Sequence, residues 1–318
     1  MNTKLLTLLS TACVTFGLTG CFQKPVISYD SLKVLAPTGA PAVAMSFLAK
    51  HSNLETTSNP AQGLIPMFKT NTYDIIVAPT QGGLTQIIKQ QANYKIAATI
   101  TFGNFYIVAT GKDDNGALDE GDSVLIFQEN DIPGKVFKYV FGDAGLDVTA
   151  VAAVSDTKLV IENGGTLRID ETTVKEFDYI YTAQPVVSAT NYSVFVNVQD
   201  AFRQKSGGKT ITQASIFVNN NANKELVDAL LADARSYIES AIESPSVLKE
   251  GIEFVGSTAE QQDKFGVPGA MAAKVTTANN GFSLGYKNAK EIKDEIQSFI
   301  NLLTNNALGE LGEEVFYQ

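Results

Sequence analysis

Few side chains in this chain could run covalent or acid–base chemistry. Its 318 residues include one histidine, His51, and two cysteines, Cys13 and Cys21. A general base needs placed partners, and the polar run His51-Ser52-Asn53 offers none, so His51 reads as a surface or capping residue. Asp113-Asp114 and Asp119-Glu120 cluster acids but lack the alternating spacing and bidentate end of a calcium loop, and they read as solvated loop. Asn163-Gly164-Gly165 reads as a turn, not a phosphate cradle. No metal site, cofactor or catalytic set is expected. What remains is a series of polar turns whose side chains are mostly neutral: Thr38, Gly39 and Ala40; Pro79, Thr80 and Gln81; Thr101 and Asn104; Gln128, Asn130 and Asp131; and Gln184. Without a placed base to activate them, such hydroxyls bind and do not attack. Helices that start at such turns aim backbone N–H groups outward, which suits an anionic or strongly polar group. Because the turns hold no Lys or Arg, they favour a neutral or zwitterionic organic solute. Each of these residues is also an ordinary helix cap or turn former. Phe102, Phe105 and Tyr181 could wall such a site, although Phe105 and Tyr181 sit on or beside strands and read as core.

The turns need elements to hold them. Residues 32–36 form a compact apolar strand, followed by Pro37-Thr38-Gly39-Ala40 and a helix over 41–50 with Pro41 where a helix tolerates it. Residues 73–78 form a buried strand, 79–83 a turn and 84–91 a helix. Strands at 96–100 and 106–109 follow as a pair, then a polar break over 111–121. A second series starts with a strand at 123–127, a loop at 128–131 and a helix over 133–141 stopped at Gly142. A strand at 177–181 feeds Thr182-Ala183-Gln184-Pro185 and another helix, and 211–218 reads as a strand returning to the first series. Leu226, Val227, Leu230, Leu231, Ala234, Tyr237 and Ile238 share one helical face. The last helix is expected to open on Asn288 and Glu291 as a capping pair and to carry Ile292, Ile296, Phe299, Ile300 and Leu303 inward. Strand, polar turn and helix in alternation predict an α/β fold of two lobes, each a mixed, mostly parallel sheet flanked by helices. The expected division is 31–111 with 219–318 as lobe 1 and 112–218 as an inserted lobe 2, with hinge crossings near 108–113 and 211–219. In such sheets ligands bind beyond the carboxyl ends of the strands, where these turns converge.

Composition narrows the class. Hydrophobic residues make up 44% and charged residues 18%, enough apolar surface for packed cores. With 24 basic against 34 acidic residues and a net charge of -10, the chain lacks the basic surface that nucleic acid requires. No fixed-period repeat is visible. At the N-terminus Lys4 precedes an apolar stretch over 5–18, too short to span a bilayer and ending in Leu18-Thr19-Gly20-Cys21. This pattern resembles the bacterial lipobox. It predicts a signal peptide over 1–20, lipid on Cys21, a tether over 21–30 and attachment to the extracytoplasmic face of the cell membrane. Cys13 would leave with the signal, so no disulfide is expected.

Several segments together resemble a known family. They are Leu32-Lys33-Val34-Leu35-Ala36-Pro37-Thr38-Gly39-Ala40-Pro41, Tyr73-Asp74-Ile75-Ile76-Val77-Ala78-Pro79, Gly103-Asn104-Phe105-Tyr106-Ile107-Val108, Ile132-Pro133-Gly134, Gly145-Leu146-Asp147, and the stretch from Leu308-Gly309-Glu310 to Phe316-Tyr317. In this order they resemble the substrate-binding proteins of ABC importers, in the branch of nitrate, sulfonate, taurine and thiamine-precursor binders. The resemblance implies a two-lobed periplasmic-binding-protein-like fold of type II that closes on a small molecule. It also implies delivery to a permease and ATPase by a monomeric, non-enzymatic receptor. Many relatives carry Glu-Pro where this chain has Gln184-Pro185, so ligand assignments that use that carboxylate do not transfer. Two other outputs stay open: an exported sensor or adhesin, and an enzyme on the same fold, for which thiamine-precursor synthases and a dehydratase of menaquinone synthesis are precedents.

Overall fold

The computed structural model describes residues 28–51, 53–112, 116–189, 192–275 and 281–318. Cys13, the lipobox, Cys21 and Asp113-Asp114 lie outside the described residues. Among the described residues there are thirteen strands: β1 Val34–Pro37, β2 Leu54–Thr57, β3 Ile75–Pro79, β4 Tyr94–Thr101, β5 Phe105–Ala109, β6 Ser123–Phe127, β7 Asp147–Val151, β8 Thr166–Arg168, β9 Val174–Glu176, β10 Tyr179–Ala183, β11 Val194–Asn197, β12 Ala214–Asn219 and β13 Leu284–Asn288. They make a six-stranded sheet in the order β13-β4-β12-β3-β1-β2, a five-stranded sheet in the order β11-β5-β10-β6-β7, and the small hairpin β8-β9.

The two large sheets share one plan. In the first, β1 to β4 run the same way, and the return strand β12 is inserted antiparallel between β3 and β4. In the second, β6, β7, β10 and β11 run the same way, and β5 is inserted antiparallel between β10 and β11. Most strands in each sheet are therefore codirectional, as the strand–turn–helix alternation predicts. Each inserted strand is the first one laid down after the chain changes sheets.

The apolar runs are buried on both faces, which is why they read as continuous and not alternating. Val34, Ala36, Ile75, Val77, Ile216 and Val218 face one core with the Lys224–Glu243 helix. Leu35, Ile76, Ala78 and Phe217 face a second core that runs on into Phe105, Ile107, Val124, Ile126, Tyr179 and Tyr181 of the five-stranded sheet. A third, smaller core covers the far face of that sheet through Tyr106, Val108, Leu125 and Ile180. On the Lys224–Glu243 helix, Val227, Leu230, Leu231, Ala234 and Ile238 are buried, with Leu226 and Tyr237 packed at the margin, as the spacing predicts.

Several sequence expectations need correction. Residues 106–109, expected in the first lobe and paired with 96–100, lie in β5 of the second sheet, which pairs with β10 and β11. The chain therefore changes sheets between Thr101 and Phe105, and again between Lys205 and Ala214. The helix after β3 spans Thr80–Gln90, so Gly82 and Gly83 are helical and not part of a turn. Gly83 is there for close packing, since a Cβ at that position would collide with the ring of Phe217 on β12. The first expected helix is split into Ala40–Ala44 and a 3-10 turn Ser46–Lys50. The helix expected after Gln184-Pro185 is only the 3-10 turn Val187–Ala189. The last helix begins at Lys293, because Asn288 ends β13 and its side chain accepts from the Lys290 N–H. The expected tether is shorter by its end: Tyr29 is 2% exposed and donates to Asp233 Oδ2 at 2.6 Å.

Candidate functional site

The carboxyl ends of the codirectional strands carry the helices Ala40–Ala44, Thr80–Gln90, Ile132–Phe141 and Val198–Lys205. Of the predicted polar residues, Pro79, Thr80, Gln81, Thr101, Asn104 and Gln184 fall into three environments.

The first is a buried hydroxyl chain. Thr80 and Ser215 are 2.8 Å apart at Oγ1 and Oγ, and Ser215 and Thr99 are 2.9 Å apart, all three fully buried. Thr80 also gives its N–H to the Gln213 carbonyl at 2.9 Å. Its polar groups are therefore engaged within the first sheet, next to Pro79.

The second is an amide network that joins the two segments where the chain changes sheets to the end of β10 and the Val198–Lys205 helix. Asn104, 4% exposed, donates from Nδ2 to the Gln184 carbonyl at 3.2 Å and accepts at Oδ1 from Gln213 Nε2 at 3.3 Å. Gln184 returns its N–H to the Asn104 carbonyl, and its own Oε1 accepts the Ser188 N–H at 3.1 Å. Gln199, held by Asn197, accepts the Phe105 N–H at 2.9 Å. Gln213 gives its N–H to the Thr101 carbonyl at 3.0 Å. The side-chain oxygens of Thr101, Thr212 and Gln213 are buried without a hydrogen-bond partner.

The third environment is a contact across the two sheets. Lys135, in the first turn of the Ile132–Phe141 helix, donates to Gln81 Oε1 at 3.3 Å, and it has no carboxylate partner among the described residues. The helix dipole disfavours a cation in that turn, and the sequence offers only this one signal of its role. Tyr106 of the second sheet adds a further link, donating to the Gly281 carbonyl at 3.0 Å. Burial pushes the Tyr106 phenol up to about 12, with the Asp200 charge adding to the shift.

The other predicted residues stand apart from these contacts. Gly39 gives its N–H to the Phe265 carbonyl at 2.9 Å and Thr38 gives its N–H to the Thr57 carbonyl, so the 38–40 turn is tied to the end of the Thr258–Phe265 helix and to β2. Gln128 takes a left-handed φ of 50°, and its carbonyl accepts from the N–H groups of Asp131 and Gly134. Asn130 and Asp131 are exposed. Phe105 and Tyr181 are core, 1% and 0% exposed, packed with Phe127; Tyr181 donates to the Pro133 carbonyl at 2.9 Å. His51 stacks edge-on against Tyr29 and lies 3.4 Å from Asp30, so its partners come from the N-terminal segment. Lys135, Gln199, Thr212, Gln213 and Ser215 are absent from the sequence-based list. Lys135 and Gln199 lie inside helices, Ser215 on the return strand, and Thr212 and Gln213 on the segment that leads into it, so none sits at a strand-to-helix turn.

Solved structures with this architecture include an ABC transporter from Parabacteroides distasonis, at 14% identity and a TM-score of 0.67, covering 91% of this chain and 99% of that one. The periplasmic aliphatic sulphonate binding protein SsuA from Escherichia coli is similar at 13% identity and a TM-score of 0.55, covering 92% and 93%. The chain has the periplasmic-binding-protein fold. The desulfurization enzyme DSZB shares the fold too, at 11% identity and a TM-score of 0.52, covering 89% and 95%. No family model and no curated protein matches the sequence. At these identities the likeness speaks for the fold, and the fold alone serves both binding and catalysis.

Proposed function

We propose that this chain is an extracytoplasmic solute-binding protein, anchored by lipid on Cys21, that captures a small organic molecule between its two sheets and delivers it to an ABC permease and ATPase. The observation that carries the reading is the Gln81–Lys135 contact between the carboxyl ends of two sheets of the same plan. Two lobes whose backbone crosses between Thr101 and Phe105 and between Lys205 and Ala214 can open and close about those segments. A solute held in such a crevice meets turns from both lobes at once. The lobes correspond to the two sheets, and the hinges to 102–104 and 206–213.

The chemistry of the candidate turn residues supports binding over catalysis, since they offer hydroxyls and amides, with the exposed Asp131 as their one charged side chain. Lys135 also alters the expected ligand: it supplies a cation that the turns themselves lack, so a solute with one anionic group fits better than a wholly neutral one.

A thermal-shift screen of the full chain against sulfonates, amino acids, pyrimidines and polyamines tests the reading. At least one solute should raise Tm, with stabilisation growing as the logarithm of its concentration. No stabilisation across a broad screen, together with unchanged uptake in cells lacking the chain, would sink it. The anchor is tested separately. Cys21→Ser should abolish labelled-palmitate incorporation and release the protein from membranes.

A further inference from the structure

Gln213 is the one residue of the amide network whose side-chain oxygen has no partner, and its orientation is fixed by its neighbours. Asn104 Nδ2 donates to the Gln184 carbonyl, so the other end of the Asn104 amide is an acceptor. The Gln213 atom that meets it at 3.3 Å must therefore be the Nε2 donor. That leaves Gln213 Oε1 as a buried acceptor without a donor. Beside it, Thr101, whose carbonyl takes the Gln213 N–H at 3.0 Å, is 0% exposed with its hydroxyl unpartnered. Thr212, on the same segment as Gln213, is likewise 0% exposed and unpartnered. Buried polar atoms are nearly always paired, so three of them on the two crossing segments mark a place that a partner completes.

The chemistry of that partner follows from what surrounds it. An amide oxygen can only accept, so the partner must donate. No acid is among the buried polar side chains of the described residues, and a buried ammonium without a carboxylate is strongly disfavoured. We infer that Gln213, with Thr101 and Thr212, forms the subsite that reads a neutral hydrogen-bond donor of the solute, a hydroxyl or an amide N–H, and rejects an ammonium there. The inference rests on the solute-binding reading, with the anionic end of the same solute turned toward Lys135.

The test uses solutes that differ only in the donor. The full chain is titrated calorimetrically with 3-hydroxypropionate, β-alanine and propionate, and with isethionate, taurine and ethanesulfonate. The hydroxyl member of a set should bind about 10- to 100-fold tighter than its ammonium and donor-free counterparts. Gln213→Glu, which places a carboxylate at the subsite, should reverse the order of the hydroxyl and ammonium members. Thr101→Val should weaken the hydroxyl member, with each variant's unliganded Tm reported as a check on folding. For any other solute that the screen identifies, methylating its donor should produce the same loss. Equal or tighter binding of the ammonium member, or binding indifferent to methylation, overturns the subsite and leaves the receptor reading intact. A broad screen without any binder overturns both.

Discussion

Ser215 stands between two threonines brought by different elements, Thr80 at the head of a helix and Thr99 on β4, and it is the shared partner of both hydroxyls. Ser215→Ala strands the two hydroxyls in a fully buried site. The expected loss is about 1–3 kcal/mol, the usual cost of leaving buried polar groups unpaired. Urea denaturation measures it, and a change near zero would mean that the hydroxyls find other partners. Lys135→Gln should act elsewhere, leaving stability unchanged because the side chain has no ion pair to lose. It should weaken an anionic solute by roughly 10-fold, as loss of a charge-assisted contact does, with calorimetry as the readout. At this scale the sequence was legible by residue type and not by partner. Thr80, Thr101, Asn104 and Gln184 were all recognisable as polar groups at strand ends. That Gln184 would hold Ser188, or that Gln213 would arrive from 109 positions away to meet Asn104, depends on tertiary pairing that local spacing does not encode.

Helix Thr80–Gln90 shows what sequence pattern conveys about an element and where it misleads. Two adjacent glycines after a proline resemble a turn, yet Gly83 lies under the Phe217 ring and is the contact that lets the helix settle on β12. Gly83→Ala raises helix propensity but inserts a methyl into that ring. The overpacking should win, at about 1–3 kcal/mol of destabilisation, whereas propensity alone would gain about 1 kcal/mol. Chemical denaturation distinguishes the two by sign. Helix Lys224–Glu243 is the opposite case, legible because five of its predicted positions are buried on one face. Its start is held by Asn223, whose side chain accepts the Leu226 N–H at 3.2 Å, and Asn223→Ala should cost about 1 kcal/mol. Edge strands were the least legible elements. β7 carries Asp147, Val148 and Ala150 exposed, so it lacks the apolar run that marks β1, β3 and β6.

At the scale of the whole molecule, both sheets are built on one order, with the strand laid down after each crossing slotted between the third and fourth codirectional strands. No sequence period reveals this, because the duplication lies in connectivity while the intervening helices and loops differ in length. Aromatic residues then tie the two sheets into one buried body. Phe202 of the Val198–Lys205 helix packs on Phe299 of the Lys293–Thr304 helix at 5.9 Å, and Tyr106 reaches Gly281. The buried phenols give this body a pH limit. Burial pushes Tyr106 up to about 12, and it does the same for Tyr237 and Tyr286, while Tyr181 is driven well above the ordinary value of 10.0. Their folded pKa values exceed the unfolded ones, so the folded chain holds these protons after the unfolded chain has released them. Stability is accordingly independent of these groups below pH 10 and falls as pH rises from about 10 toward about 12. Denaturant midpoints taken from about pH 8 to about pH 12 should be flat at first and then drop. Over the same range tyrosinate absorbance should lag the ordinary titration curve and then rise steeply as the fold opens. If every tyrosine ionised near 10 without loss of structure, Tyr106 and Tyr181 would not be sealed in their cores.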